Sequence, residues 1–350
     1  MKIAFVINDL TTEGCGTTIA LMNKAHYMGH EVHLMDVGDF NLYSYAPMEI
    51  YTHRIPKKAT FGSPEEFLER LQDLEFPKKR IATKDVDVLF VRNNPTEEGT
   101  ERHWAEMAGI AFGKMMQLQG MLVLNDPFAL NEAFIDKLYF EELPEDIKPA
   151  SIISRKKTDI LDFWEKQNKK MVLKPLQGSG GKDVYLIDQH EKNVHQILDT
   201  IIGKGYVIAQ EFLPEVKDGD VRIILMNGKL LMQDGKHAII RRISGTKEEF
   251  RSNFKVGAKA AASELTPAME RIVNITAPKL IKDGLFFVGL DVVKDKLIEI
   301  NVLSPGGLNH FKEINYPDFT EPVVQAIERK LEYKKMYKGQ LSNRELATMQ

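Results

Sequence analysis

The chain has 350 residues, 43% of them hydrophobic and 28% charged, and its net charge at pH 7 is −3. This length is typical of two or three subdomains, and the weak net charge gives no reason to expect nucleic acid or an acidic membrane as a partner. The one cysteine, Cys15, excludes an internal disulfide and is consistent with a reducing compartment.

The sequence also carries no targeting or membrane signal. Its first residues, MKIAFVINDL, lack the long apolar core and the cleavage site of a signal peptide. No apolar run approaches the roughly eighteen residues that span a bilayer. We therefore expect a cytoplasmic protein with no membrane partner.

The first 124 residues predict a doubly wound α/β domain. Short apolar runs such as KIAFVIN are typical of buried parallel strands, and they alternate with helical patterns. In chain order, the prediction is a strand at 2–8, a helix at 17–28, strands at 30–37 and 86–94, a helix at 100–119 and a strand at 121–126.

Residues 125–205 predict a compact α+β subdomain. It contains helices at 132–142 and 157–168 and strands at 147–154, 171–173 and 184–187. Residues 206–337 predict a second subdomain with antiparallel strands, including a hairpin at Asn227-Gly228, which is the strongest short hairpin signal. We expect residues 338–350 to form a solvated tail or a short exposed helix.

The stretch VLKPLQGSGGKDVYLI, residues 172–187, places a glycine cluster between two predicted strands. The cluster consists of Gly178, Gly180 and Gly181, with Lys174 before it and Lys182 after it. Taken alone, the cluster is either a tight turn or a loop that holds a phosphate, and short glycine loops are more often turns.

Two carboxylates and an amide are predicted to converge in VGLDVVKDKLIEINV. If Asp295 is near the centre of a hairpin, Asp291 and Glu299 lie opposite one another, and Asn301 shares the face of Glu299. Two like charges on a buried face repel unless a cation lies between them. Oxygen ligands favour Mg²⁺, whereas the alternative is a solvated sheet face with ordinary surface acids.

Basic residues supply a second set of candidates. Lys174 ends a buried strand, and Lys137 lies on a predicted helix. Arg222 and Arg242 lie within antiparallel strands, where an exposed face is an equally good interpretation. A polar loop at 250–257 carries Arg251, Asn253 and Lys255, and such a loop either closes over a charged substrate or is an ordinary surface loop.

The order of these motifs resembles the ATP-grasp ligases, and the prokaryotic glutathione synthetases most closely. The resemblance covers residues 2–330 and rests on LKPLQGSGG, LPEVKDGDVRI and GLFFVGLDVVKDKLIEINVLSP in this order. It implies an ATP-grasp fold, in which two α+β subdomains hold ATP, preceded by the N-terminal α/β domain.

The resemblance also implies an ATP site with a magnesium ion, or with Mn²⁺ in its place. The residues expected at the nucleotide are Lys137, Lys174, Gly178, Ser179, Gly180, Gly181, Gln210, Glu211, Phe212, Leu213 and Asp220. The residues expected at the metal are Asp291, Glu299 and Asn301. Successive unpaired N–H groups of a glycine loop bind anions, so this resemblance favours the phosphate-binding interpretation of the cluster.

The implied reaction joins a carboxylate to an amine through an acyl phosphate. The expected catalytic residues are Arg222, Arg242, Arg251 and Asn253. The expected substrate-binding residues are Arg92, Ser304, Pro305, Gly306 and Gly307, where the SPGG segment would offer its backbone N–H groups to the carboxylate of the incoming amino acid. The expected partners are small molecules, and by analogy we expect a homo-oligomer.

Four features depart from the pattern of glutathione synthetases. In FRSNFKVGAKAAASEL, Ser252 replaces a glycine and the second of two paired glycines is absent, and SPGGL replaces a loop that ends in threonine. These three features favour ligases that add glutamate to a ribosomal protein or to a cofactor. Gln177 also replaces a common aspartate. We therefore retain two enzymatic hypotheses, and a third in which the chain is a nucleotide-binding module without catalysis. The intact set of lysines and metal ligands argues against the third.

Overall fold

A computed structural model of the chain describes residues 1–178, 183–245, 254 and 257–350. It begins with an α/β domain built on one sheet. The strands of this sheet are β1 Lys2–Ile7, β2 Glu31–Asp36, β3 Phe40–Asn41, β4 Glu49–Ile55, β5 Lys78–Ala82, β6 Val88–Val91 and β7 Leu122–Leu124. Its helices are α1 Thr17–Tyr27, α2 Pro64–Gln72 and α3 Ala108–Leu118.

The predicted parallel arrangement is confirmed for the centre of this sheet. Strand β1 pairs in parallel with β2 on one side and with β6 on the other, and β6 pairs with β7. The loops after β1 and β6 therefore diverge at the carboxyl end of the sheet, which is where α/β domains bind ligands. The antiparallel strands β3, β4 and β5, which extend the sheet beyond β2, were not predicted.

The central subdomain is a four-stranded antiparallel sheet with the order β10-β9-β11-β8. Its strands are β8 Ser151–Ser154, β9 Met171–Pro175, β10 Tyr185–Ile187 and β11 Val207–Glu211. The helices are α4 Pro127–Glu132, α5 Asp136–Glu141, α6 Lys157–Lys166 and α7 Val194–Lys204.

Two details of this region differ from the predictions. The single helix predicted over 132–142 is interrupted, because α4 ends at Glu132 and α5 begins at Asp136. Strand β11 pairs with β8 and β9, so the central sheet extends past the predicted boundary at residue 206. Sequence patterns show that a strand exists, but they do not show which sheet it joins. The other domain boundaries remain predictions.

The C-terminal sheet has the order β17-β16-β12-β18-β19, with β13 paired to β12. The strands of this region are β12 Asp220–Met226, β13 Lys229–Leu230, β14 Met232–Gln233, β15 Lys236–His237, β16 Ile239–Ile243, β17 Lys259–Ala262, β18 Phe287–Val293 and β19 Lys296–Asn301. The helices are α8 Pro267–Lys282, α9 Thr320–Met336 and α10 Asn343–Thr348. The predicted turn at Asn227-Gly228 is confirmed, and both residues have a positive φ.

The hairpin of β18 and β19 has the predicted pairing of Asp291 with Glu299. The turn consists of Lys294 and Asp295 alone, because Val293 already pairs with Lys296, so it is not centred on Asp295. A register shift between Asp291 and Val292 adds one residue and brings Glu299 opposite Asp291.

The hydrophobic cores show which parts of the chain pack together. Both large cores combine residues of the N-terminal domain with residues of the C-terminal sheet, such as Val6 with Leu290 and Phe90 with Phe287. The four-stranded central sheet has a separate core around Leu173, whereas α4 and α5 contribute residues such as Leu130 and Phe140 to one of the shared cores. The boundary between the central sheet and the C-terminal sheet is thus a natural place for a ligand to enter.

The C-terminal segment forms a short helix, which is one of the two predicted alternatives, but this helix is partly buried and not exposed as predicted. Helix α10 buries Leu346 and Ala347, and Ser342 and Glu345 form its capping box. The Asn343 side chain bonds to both backbone groups of Val123 on β7, so it covers an otherwise open sheet edge. No helix in the described part of the chain has the length and apolar character needed to cross a bilayer.

Candidate active site

A narrow cavity lies between the central sheet and the C-terminal sheet. Its lining includes Lys137 from α5, Lys174 from β9, Gln210 from β11 and Glu299 from β19. The cavity measures about 10 Å³, whereas ligand pockets are typically several hundred Å³. The structure therefore brings together four residues predicted at the nucleotide and the metal, around a narrow cleft between the two sheets.

Lys137 lies across the entrance to the predicted glycine loop. Its Nζ donates to the carbonyl oxygens of Pro175 at 2.7 Å and of Gly178 at 3.2 Å. Gly178 has a φ of +139°, which residues with a side chain rarely adopt. The predicted loop residues Ser179, Gly180 and Gly181 lie outside the described residues, so the phosphate-binding interpretation remains a prediction.

The predicted adenine hinge consists of the last two residues of β11 and the two residues that follow it. Gln210 is buried and lines the cavity, and Glu211 ends the strand. Phe212 and Leu213 are half-buried, and the ammonium group of Lys170 lies 4.1 Å from the centre of the Phe212 ring. Of these four hinge residues, only Gln210 lines the narrow cavity.

Two buried ion pairs lie side by side on the C-terminal sheet. Arg222 on β12 is directly opposite Asp291 on β18, and Asp220 on β12 is directly opposite Arg242 on β16. All four side chains are buried, and the two residues of β12 share a face because they are two positions apart. The strand register thus places two acids and two arginines in one row.

Asp291 is the centre of this row. Its two oxygens accept from Nε and Nη2 of Arg222, the latter at 2.8 Å, and Oδ2 also lies 2.9 Å from Nη2 of Arg242. Asn301 donates weakly to the same oxygen at 3.3 Å. Gly289 leaves room for this arrangement, since a Cβ there would lie 3.2 Å from Cδ of Arg222.

The electrostatics of the two acids differ. Burial acts to raise the pKa of Asp291, but the charges of Arg222 and Arg242 outweigh it and hold the pKa below its usual range. For Asp220, burial dominates over the attraction of Arg242 and raises the pKa to about 6. The repulsion that the sequence predicts between buried carboxylates is therefore relieved at Asp291 by the protein's own arginines.

The three predicted metal residues are neighbours on β18 and β19. Asp291 and Glu299 are paired on these adjacent strands, and Asn301 contacts Asp291. Within the described ranges, no group of three or more acidic, histidine or cysteine side chains could hold a metal ion. The candidate site thus has two carboxylates and one amide, as the sequence predicts, and the metal itself remains a prediction.

The predicted substrate loop follows β19 and contacts the N-terminal domain. The carbonyl oxygen of Pro305 accepts from Nη2 of Arg92 at 2.8 Å, and that of Gly306 accepts from Nη1 of Arg222 at 3.0 Å. The N–H of Gly307 donates to Oγ1 of Thr17 at 3.0 Å. In this conformation, the Gly307 N–H group is therefore not available to a substrate carboxylate. Ser304 is half-buried at the start of the loop.

Arg92 is a buried guanidinium that follows β6. Among the described residues, no carboxylate lies within ion-pairing distance of it, and its contacts are Thr18, Pro305 and two aromatic rings. Burial lowers its pKa to about 10, and only the charge of Glu13 acts in the opposite direction. A buried guanidinium with neutral neighbours is suited to an anionic ligand.

Sequence reasoning missed Thr17 and Thr18, which join this loop and Arg92 to the first helix. The signal that could have found them is their position, because they begin α1 directly after the loop that leaves β1. The predicted catalytic residues Arg251 and Asn253 lie outside the described residues. Phe254, which is described, stacks on His310 with 3.7 Å between ring centres.

Comparison with known families identifies the chain. The family described as "Prokaryotic glutathione synthetase, N-terminal domain" matches residues 1–131, and "Prokaryotic glutathione synthetase, ATP-grasp domain" matches residues 136–316. The chain belongs to the prokaryotic glutathione synthetases. As a member of this family it is an ATP-grasp ligase that forms carbon–nitrogen bonds.

Curated relatives agree over nearly the whole chain. The glutathione synthetase of Synechocystis sp. (strain ATCC 27184 / PCC 6803 / Kazusa) is 30% identical over 334 residues, covering 94% of this chain and 99% of that protein. The glutathione synthetase of Escherichia coli (strain K12) is 28% identical over 319 residues, covering 90% of this chain and 93% of that protein.

Solved structures confirm the ATP-grasp fold. The D-cycloserine synthetase DcsG has a TM-score of 0.59 at 14% identity, with 94% of this chain and 99% of that chain covered. The D-alanine–D-alanine ligase from Bacillus anthracis complexed with ATP has a TM-score of 0.51 at 14% identity, with 96% and 99% covered. These likenesses are evidence for the fold alone.

Proposed function

We propose that the chain is a glutathione synthetase, which joins the cysteine carboxylate of γ-glutamylcysteine to the amine of glycine and converts ATP to ADP and phosphate. The observation that carries this proposal is the buried row of Arg222, Asp291 and Arg242 beside the cleft, which continues through the loop at 305–308 to Arg92. In this arrangement, Arg222 and Arg242 offer positive charge to a reacting phosphoryl group, and Arg92 offers positive charge to a substrate carboxylate.

The cleft residues suit the first half of the reaction. A carboxylate is a poor acyl donor, because its leaving group would be oxide, and phosphorylation gives it a good leaving group. We assign Lys137 and Lys174 to the phosphates of ATP, and Gln210 and Glu211 to the adenine, because Lys137, Lys174 and Gln210 line the same cavity and Glu211 follows Gln210 on β11. Arg222 and Arg242 stabilise the negative charge that develops during phosphoryl transfer, where positioning and electrostatics carry most of the catalysis.

Asp291, Glu299 and Asn301 are the proposed ligands of Mg²⁺, with Mn²⁺ as a substitute. A set of oxygen donors on adjacent strands fits a hard cation of this kind. Oδ2 of Asp291 contacts both arginines and Asn301, whereas Oδ1 accepts only from Arg222 and keeps a lone pair for a metal ion. When bound, the ion neutralises charge on the phosphate oxygens.

Arg92 is the proposed site for a carboxylate of the dipeptide. It lies at the divergence of the loops after β1 and β6, its guanidinium is buried, and its nearest partners among the described residues are neutral. A substrate carboxylate would neutralise the Arg92 guanidinium and accept two parallel hydrogen bonds from it. The two carboxylates of γ-glutamylcysteine are the α-carboxylate of its glutamyl residue and the reacting one, and we assign Arg92 to the former.

A second candidate is a related ligase that adds glutamate to another acceptor. It is favoured by Gln177 and by the sequence SPGGL of the loop that contacts Arg92 and Arg222. These positions border the substrates rather than ATP, so they bear on the acceptor and not on the reaction class.

The experiment that separates the two candidates is a substrate panel with the purified chain. ADP release and product mass are measured for γ-glutamylcysteine with glycine, and for glutamate with peptide and cofactor acceptors. The proposal predicts the highest kcat/KM for the first pair. If only another carboxylate–amine pair turns over, the glutathione assignment is wrong and the ligase assignment stands. Size-exclusion chromatography of the same sample tests the proposed homo-oligomer.

A further inference from the structure

The loop that follows β19 is held by side chains from two different parts of the chain. Its carbonyl groups at Pro305 and Gly306 each accept from one arginine, Arg92 and Arg222 respectively, at 2.8 and 3.0 Å. Arg92 directly follows β6, and Arg222 lies on β12. The loop therefore contacts guanidinium groups from two separate sheets. The orientation of the loop therefore affects the direction in which both arginines point.

The opposite side of the loop is held by a single hydroxyl group. Oγ1 of Thr17 accepts from the backbone N–H groups of Gly307 and Leu308, each at 3.0 Å. Thr17 is 3% exposed, so water does not compete for these bonds. Gly307 has a φ of +121°, which lets two successive N–H groups turn towards one acceptor.

The next residue extends the same contact to Arg92. Oγ1 of Thr18 accepts from Nε of Arg92 at 3.2 Å, and Thr18 is also buried. Both threonines lie in the first turn of α1, which begins at Thr17. The start of this helix is thus bonded to Arg92 directly and, through the loop, to Arg92 and Arg222 together.

We propose that Thr17 is a positioning residue that fixes the loop at 305–308 and, through its carbonyl groups, sets the relative orientation of Arg92 and Arg222. This inference rests on the proposed function, in which Arg92 binds the dipeptide and Arg222 acts on the phosphoryl group. In this role Thr17 acts through the loop and not on a substrate. It connects the N-terminal domain, where Arg92 binds the dipeptide, to the C-terminal sheet, where Arg222 acts on the phosphoryl group.

A merely structural contact would behave differently. Loss of an interdomain hydrogen bond alone lowers stability and leaves the KM of the folded enzyme unchanged. Loss of a positioning contact lets the loop adopt other orientations, so the two arginines no longer meet a donor substrate in the right geometry. A misplacement of this kind reduces the rate even when the chemical groups are all present.

The test compares Thr17→Val, which removes the acceptor at nearly constant volume, with Thr17→Ser, which keeps it. The matched control is Thr52→Val, because Thr52 is fully buried in the N-terminal sheet and bonds a backbone carbonyl at 3.0 Å, away from the cleft. We expect Thr17→Val to lower kcat/KM for the donor carboxylate at least tenfold, with less than a twofold change in KM for ATP. Thr17→Ser restores the wild-type value, and Thr52→Val changes only the melting temperature.

Hydrogen exchange of a peptide that covers residues 304–311 gives a readout independent of turnover. In the substrate-free protein, the Gly307 and Leu308 amides should exchange at least tenfold faster in Thr17→Val than in wild type or Thr17→Ser. Unchanged exchange in this peptide, or unchanged donor kinetics in a folded Thr17→Val variant, would overturn the proposal. If wild type does not use γ-glutamylcysteine but uses another donor, the proposed substrate fails, and the same comparison is made with the active donor.

Discussion

Arg222 and Asp291 lie directly opposite one another on neighbouring strands, and the arginine donates to both oxygens of the carboxylate. Both side chains are buried, and Arg242 contacts the same carboxylate. The candidate metal ligand is therefore already neutralised by the groups that we assign to the phosphoryl group. We therefore propose two functions for Asp291, one in the stability of the protein and one in catalysis.

Asp291→Asn should abolish turnover and also destabilise the substrate-free protein. The substitution leaves two buried guanidinium groups with one carboxylate fewer, and breaking a buried ion pair in this way typically costs about 3–5 kcal/mol. Urea unfolding measures the free energy of unfolding. Glu299→Gln is the matched control, because Glu299 is half-buried and its loss should reduce turnover with little change in stability. An Asp291→Asn variant as stable as wild type would show that the pair contributes nothing in the absence of substrate.

Replacement of Arg92 should have the opposite effect on stability. Arg92→Met removes a buried charge that has no ion-pair partner among the described residues, so the melting temperature should hold or rise. The same variant should raise the KM for the dipeptide at least tenfold, because the proposed carboxylate contact is lost. Arg54→Met is the surface control, since Arg54 is exposed and pairs with Glu31 far from the cleft. An unchanged dipeptide KM in Arg92→Met would remove Arg92 from the substrate site.

Lys137→Met should weaken ATP binding. Its ammonium group holds the carbonyl oxygens of Pro175 and Gly178 at the entrance to the glycine loop, and we expect it to turn to the phosphates when ATP binds. Isothermal titration with a non-hydrolysable ATP analogue should show at least a tenfold weaker affinity. Lys157→Met, which removes an exposed pair with Asp199, should bind like wild type. Equal affinity in both variants would exclude the proposed phosphate contact.

The glycine loop gives a prediction that rests on the sequence. Gly180→Val should raise the KM for ATP and lower kcat, because a Cβ obstructs close approach of the backbone to phosphate. Hydrogen exchange over residues 176–184 should slow when the ATP analogue and Mg²⁺ are added. Equal exchange in both states, with unchanged ATP kinetics in the variant, would return this stretch to the interpretation of a simple turn.

Lys330 predicts a pH dependence of stability that is unrelated to the cleft. It is fully buried and donates to Asn227 Oδ1 and Met349 O, both at 2.7 Å. Burial, with the nearby charge of Arg329, lowers its pKa from 10.5 to about 7. Between these values the unfolded chain binds a proton that the folded chain has released, so the free energy of unfolding rises with pH.

The Lys330→Met variant lacks this contribution. The difference in unfolding free energy between wild type and variant should move in favour of wild type from pH 7 to pH 10, by up to about 1.4 kcal/mol per pH unit. Urea unfolding at several pH values measures it. Two parallel profiles would show that Lys330 keeps an ordinary pKa in the folded state.

Local patterns were sufficient to predict much of this fold. The parallel strands of the N-terminal domain are continuous in apolar residues, and Asn227-Gly228 specifies its own turn. The pairing of Asp291 with Glu299 was also predicted, although it depends on a bulge that the sequence does not reveal. Such features depend on neighbours within a few residues, which is why a single sequence can show them.

Contacts between distant segments could not be predicted in this way. Thr17 bonds to Gly307 and Leu308 across 290 residues or more, and no pattern in either segment points to the other. The tail was expected in solvent because nothing in its composition shows that Asn343 matches the open edge of β7. The neutralisation of Asp291 by two arginines likewise depends on the order of strands in the sheet.

We expect the chain to activate a substrate carboxylate by phosphorylation before an amine attacks it. A direct test uses γ-glutamylcysteine with ¹⁸O in both oxygens of its cysteine carboxylate, together with glycine and ATP. Mass spectrometry of the products should find one ¹⁸O in each released phosphate and one in the new amide of glutathione. Release of phosphate without ¹⁸O, while the amide forms, would exclude the acyl phosphate.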